Sequence, residues 1–146
     1  MHVPKHTVAL KVTEGPNMLG QCSRFVPQHV TGFWEVSPDT VALLERNFWH
    51  LARLFGTAYR PSSGPSSHAD PVELQHELDL QWDQYIGVII DGQRYIYVNH
   101  GAGNWDKCQT KACVICDGGP GFWGVLFNVN TLEFSQYQAN GMAFRN

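Results

Sequence analysis

Three cysteines lie close together in this chain, Cys108, Cys113 and Cys116, with the spacing C-x4-C-x2-C. Plant-type iron-sulfur proteins present three of their thiolates in this way, and with His100 as a fourth ligand the same cysteines would suit zinc. The surrounding residues favour neither. No cysteine follows Cys116, and Val114-Ile115 prefers an extended strand. In a strand, residues three apart point to opposite faces, so Cys113 and Cys116 would not share an ion. No metal and no cofactor are therefore expected, and a metal or redox protein working through Cys108, Cys113 and Cys116 is kept as an alternative.

Nucleophilic chemistry is the second option. Cys116 precedes Asp117-Gly118-Gly119-Pro120-Gly121, whose glycines would leave backbone amides facing a developing negative charge. A cysteine nucleophile needs a base, and His100, at the end of another extended run, is the best placed, with Asp117 as the third member. A buried strand cysteine followed by a turn has the same composition and is the weightier reading. The other histidines show no paired spacing with carboxylates, and the chain has no phosphate-loop, G-x-S-x-G or H-E-x-x-H pattern.

The third option is recognition. Trp82, Tyr85, Tyr95, Tyr97, Trp105, Phe122, Trp123 and Tyr137 crowd the second half of the chain. Aromatic bodies with a few polar handles build pockets and interfaces, and they also build cores. The expected binding residues are Tyr85, Tyr97, Trp105 and Trp123, with Asn99 and Asp117 as polar groups at the mouth. The reading that follows is a binding module for a small molecule or a protein rather than an enzyme, with a small enzyme using Cys116, His100 and Asp117 as the alternative.

The elements that must position these residues are legible in part. Ser37 suits a helix cap, Pro38 the first helical position and Asp39 the positive helix end, while Gly56 can close the far end. Val41, Leu44, Phe48, Leu51 and Phe55 recur in steps of three and four, which predicts one amphipathic helix over about 38–55. Residues 57–71, rich in Pro, Ser and Gly, predict a surface loop. Extended runs follow at 77–90, 93–100, 111–116, 122–129 and 132–138. Asp91-Gly92, between two β-rich runs, predicts a two-residue type I′ hairpin. Pairing Ile90 with Gln93 then puts Tyr85, Gly87, Ile89, Ile96 and Val98 on one face and Ile86, Val88, Tyr95 and Tyr97 on the other.

Both faces are apolar, and one helix covers only one of them. A loop, a ligand or a second protomer must cover the other, which makes a homodimer through that face an expectation. The fold class is α+β: one helix on a curved antiparallel sheet of four to six strands, broadly cystatin-like by analogy. Residues 1–36 add a strand within Thr7–Val12 and little else that can be read.

With 146 residues and 43% apolar content the chain forms a single domain, 1–146. A net charge of −3 and ten scattered Lys and Arg give no basic stripe, so nucleic acid is not an expected partner. From Pro61 to Gln93 there is no Lys or Arg, which reads as a solvated acidic face. No window has the length of a membrane span, and the start of the sequence lacks a signal-peptide pattern. A soluble cytoplasmic protein with reduced thiols, not engaging membranes, is expected on that basis.

Several segments together, Gln84-Tyr85-Ile86-Gly87-Val88, Gly92-Gln93-Arg94-Tyr95-Ile96-Tyr97-Val98-Asn99, Val114-Ile115-Cys116-Asp117-Gly118-Gly119, Phe122-Trp123-Gly124-Val125 and Asn140-Gly141, resemble a pattern of uncharacterised bacterial proteins. The entry to the helix, Gly32-Phe33-Trp34-Glu35-Val36-Ser37-Pro38, resembles theirs as well. The resemblance spans about residues 32–144 and extends to products of mobile gene cassettes of the integron type. It implies a shared α+β domain and no particular activity. Asn99, Cys116, Asp117, Gly118, Gly119 and Trp123 match that pattern; Cys108 and Cys113 are peculiar to this chain, and His100 stands where the pattern has Ala.

Overall fold

Strand pairing around one long central strand organises the protein. The computed structural model describes residues 4, 6–55 and 79–141. The expected loop 57–71, the closing Gly56 and most of the acidic run lie outside the described residues. In chain order the elements are β1 (His6–Ala9), a 3-10 turn (Val12–Glu14), α1 (Gly15–Met18), β2 (Val30–Trp34), α2 (Pro38–Arg46) and α3 (His50–Phe55). There follow β3 (Gln81–Ile90), β4 (Gln93–Ala102), α4 (Trp105–Cys108), β5 (Trp123–Asn128) and β6 (Phe134–Ala139).

The class is α+β, with short helices and an open six-stranded mixed sheet. β3, β4, β5 and β6 follow one another antiparallel. Along its other edge β3 takes two partners end to end: β1 runs parallel beside Trp82–Tyr85, and β2 runs antiparallel beside Gly87–Ile90. The parallel pair and the helix count depart from the cystatin-like scheme of one helix on an antiparallel sheet.

The hairpin and its register are as expected. Asp91 and Gly92 have φ of 51° and 74°, as a type I′ turn requires, and Ile90 pairs with Gln93. β3 begins at Gln81 rather than near 77, with Asp79 and Leu80 helical.

The predicted single helix is two. Its entry is as read: Ser37 Oγ accepts the Thr40 N–H at 3.2 Å, and Pro38 and Asp39 occupy the first turn. At Asn47 the ladder tightens. Asn47, Phe48, His50 and Leu51 donate their N–H groups three residues back, and Asn47 Nδ2 donates to the Leu43 carbonyl at 2.8 Å. The apolar stripe survives the break, because Leu44, Phe48 and Leu51 are all buried in one core with Tyr85, Ile96, Val98, Trp123, Val125, Phe127 and Phe134.

On the opposite face Ile86, Val88, Tyr97 and Leu126 are buried with Leu10 and Met18, and Val8, Val30, Phe33 and Ala112 pack against them. The second cover is therefore the chain's own N-terminal segment. The expected strand 111–116 is irregular. Its backbone is satisfied by side chains: Cys113 N–H donates to Gln84 Oε1 at 2.9 Å, and the Cys113 carbonyl accepts from Asn99 Nδ2 at 2.9 Å. A disulfide, Cys108–Cys113, closes the turn there. The other two cysteines form Cys22–Cys116, so none is free and the expectation of reduced thiols is corrected.

Candidate functional site

Residues 20–29 have no regular structure and are tied down at several points. Cys22 is bonded to Cys116 across 94 residues of sequence. Ser23 Oγ accepts the Asp117 N–H, and the Ser23 carbonyl accepts the Gly141 N–H at 3.0 Å. Asp117, Gly118 and Gly119 have successive φ of 68°, 80° and 78°. This left-handed run suits two glycines and an Asp, which reaches αL more readily than most residues. The turn carries Cys116 and Asp117 over to residues 22–25.

Arg24 reaches inward between these loops. Its Nε donates to Tyr97 Oη at 2.9 Å, Nη1 to Asn140 Oδ1 at 3.0 Å and Nη2 to Asn99 Oδ1 at 2.6 Å. All three acceptors are neutral. Burial pushes the Tyr97 hydroxyl pKa up, and the Arg24 charge beside it only partly opposes this, so the phenol keeps its proton. Tyr97 can lie flat across β5 because residue 124 is glycine; a Cβ there would overlap its hydroxyl. Behind Arg24, the Asn99 amide donates to Gln84 Oε1 at 3.0 Å, and Gln84 Nε2 donates to the carbonyls of Cys108 and Lys111, both at 2.7 Å. Asn140 Nδ2 donates to the carbonyls of Ile115 and Asp117.

In front of this network lies a hollow of about 520 Å³ lined by Cys22, Ser23, Arg24, Phe25, Asp117, Gln138, Ala139 and Gly141. Phe25 is 81% exposed beside it, and both Cys22 and Cys116 are exposed. A smaller depression of about 300 Å³ is lined by Ala9, Leu10, Lys11, Gln109 and Thr110.

Of the residues singled out in the sequence, Asp117 lines the hollow, and Asn99 and Tyr97 stand behind its Arg24 as supports. The others are elsewhere. Tyr85 is fully buried on the helix side, donating to Glu45 Oε2 at 2.7 Å, and its pKa is raised well above normal by burial and then by the Asp83 and Glu45 carboxylates. Trp123 is buried on that side too, stacked on His100 with ring centres 4.5 Å apart. Trp105 stacks on His6 at 5.0 Å, beside β1. Tyr85, Tyr97, Trp105 and Trp123 thus do not line one pocket.

His100 and Cys116 are likewise not brought together. His100 faces the helix side, its Nδ1 2.6 Å from Asp83 Oδ1, whereas Cys116 is joined to Cys22 over the opposite face. The cysteines of the C-x4-C-x2-C run are divided between two disulfides. Among the described residues no group of three or more His, Cys, Asp or Glu is arranged to hold a metal ion, and no helix is long and apolar enough to cross a membrane.

Cys22, Ser23, Arg24, Phe25 and Asn140 were missed in the sequence reading. One signal pointed toward them: an even cysteine count permits two disulfides, although the pairing cannot be deduced from spacing. Comparison with family models, curated proteins and solved structures finds no match to this chain.

Proposed function

We propose that the protein is a small-ligand-binding module whose site is the hollow at Arg24, Phe25 and Asp117. One observation carries this reading: a guanidinium held in place by three neutral oxygens, with an exposed phenyl ring beside it, at the edge of a hollow of about 520 Å³. Such a volume is ordinary for a ligand site. An exposed Phe next to an oriented cation supplies both apolar area and direction. Asn99, Cys116, Asp117, Gly118 and Gly119 belong to the pattern shared with the bacterial proteins that the chain resembles, so this reading would extend to them. It does not call on a homodimer, since the N-terminal segment packs on the sheet face that a second protomer would have covered.

The test is a titration of the isotopically labelled, disulfide-bonded protein with a panel of small carboxylates, amines, amino acids and neutral aromatics, followed by amide chemical shifts. Binding should move resonances of residues 22–25, 117 and 138–141, and Phe25→Ala should weaken it. Shifts confined to other regions, or none with any compound, would end the proposal.

A second reading, thiol–disulfide exchange at Cys22–Cys116, is favoured by the exposure of both cysteines. Incubation with a dithiol would reduce this bond before Cys108–Cys113, in which Cys108 is buried. Two disulfides also favour an oxidising compartment over the cytoplasm.

A further inference from the structure

Two charged side chains of opposite sign line the hollow, Arg24 and Asp117. Their charged ends do not come within ion-pair distance of each other. Three of the five guanidinium N–H donors of Arg24 are used, one each on Nε, Nη1 and Nη2. The remaining donors, on Nη1 and Nη2, have no hydrogen-bond partner among the described residues. The Asp117 carboxylate is held only weakly, its Oδ1 accepting from Ser23 Oγ at 3.5 Å. A positioned cation and a nearby anion therefore line one cavity without pairing with each other.

A ligand with a single negative charge would be drawn to Arg24 and repelled by Asp117, and a simple amine would meet the reverse. A ligand carrying both charges meets a partner for each. Phe25, 81% exposed at the same hollow, adds a surface for an apolar or aromatic body. Resting on the binding reading above, we propose that the hollow takes a zwitterion of the amino-acid class with an apolar or aromatic side chain, its carboxylate on Arg24 and its ammonium on Asp117. The Arg24 supports act as a positioning frame: Tyr97, Asn99 and Asn140 fix the plane of the guanidinium.

The probes are L-phenylalanine, 3-phenylpropionate, which lacks the amine, and phenethylamine, which lacks the carboxylate. Each is titrated into the full disulfide-bonded protein, and amide shifts of residues 22–25, 117 and 138–141 are followed. Phenylalanine should bind at least about ten-fold more tightly than either half-charged probe. In Asp117→Asn, a substitution that suits the left-handed backbone at this position, the advantage over 3-phenylpropionate should disappear while the fold persists. Equal binding of all three probes, or an unchanged preference in Asp117→Asn, would overturn the zwitterion and leave the binding reading standing. So would silence with phenylalanine when other members of the panel still shift these residues. Silence with every compound would take down both.

Discussion

On the helix side of the sheet, Leu44, Phe48 and Leu51 from two short helices meet Tyr85, Ile96, Val98, Val125 and Phe127 in a continuous apolar layer. On the other side Ile86, Val88, Tyr97 and Leu126 lie beneath a segment with little regular structure. That cover is secured at discrete points: Cys22–Cys116, Arg24 on three side-chain oxygens, Gln21 Nε2 on the Cys113 carbonyl and Glu14 Oε1 accepting the Ala112 N–H. Attachment spread over many apolar contacts tolerates the loss of one; attachment through a few covalent and polar links does not. The hollow lies on the second side, where the loops can differ without disturbing the helix-side core.

The sharpest way to break this comparison is Cys22→Ala with Cys116→Ala. Opening a link across 94 residues should cost about 4–5 kcal/mol in the chain-entropy view, measured by urea unfolding under oxidising conditions. The corresponding change at Cys108 and Cys113, separated by five residues, should cost about 2 kcal/mol. Hydrogen exchange should rise first in β1 and β2; uniform acceleration over β4 and β5 would mean that the two sides are not separable.

Leu44→Ala tests the helix side. It should cost about 3 kcal/mol by cavity formation, and leave the shifts of residues 22–25 in place.

Asn99→Ala should cost about 2 kcal/mol, because Arg24 Nη2 loses its acceptor and Gln84 Oε1 a donor. Its ligand affinity should fall more than that of Leu44→Ala. Equal losses would mean that Arg24 is not positioned through Asn99.

The smallest effect separates the sides by pH. Tyr85 and Tyr97 both have raised pKa values in the folded protein, so their contribution to stability is complete below the unfolded value near 10 and is lost as pH rises beyond it. At Tyr85 burial, Asp83 and Glu45 all push upward, whereas Arg24 opposes the shift at Tyr97. Melting temperature followed from pH 8 to 11 should therefore flatten more in Tyr85→Phe than in Tyr97→Phe.

The same contrast explains what was legible in the sequence. Period-two alternation and the Asp91-Gly92 turn gave the β3–β4 register to the residue, because both signals are local and backed by burial. The helix was read as continuous because its stripe of Leu44, Phe48 and Leu51 does continue; the break shows in the backbone bonds that step three residues back and in the side-chain bond from Asn47 to Leu43. Val114-Ile115 suggested a strand on propensity, but side-chain amides satisfy the backbone on either side of Val114, Gln84 and Asn99 at Cys113 and Asn140 at the Ile115 carbonyl, and their sequence neighbourhoods do not announce that role. The site depends on Cys22, Ser23 and Arg24 meeting residues near 97, 117 and 140, and no periodicity links positions so far apart. Asp117 was found because a left-handed turn marks its own residues; Arg24 carries no such mark.

β1 and β2 share one strand as their partner, and that strand begins at Gln81. On the ribosome, which makes a chain from its amino end, β1 and β2 therefore emerge before the strand they pair with. They must wait, edges open, until β3 is out. Cys22 waits longer still, and Cys108 and Cys113 emerge before its proper mate, offering two wrong bonds on the way. Residues 22–25 are thus fastened later than the strands on either side of them, and a nascent chain halted before Cys116 would hold β1 and β2 on β3 with Cys22 still unbonded.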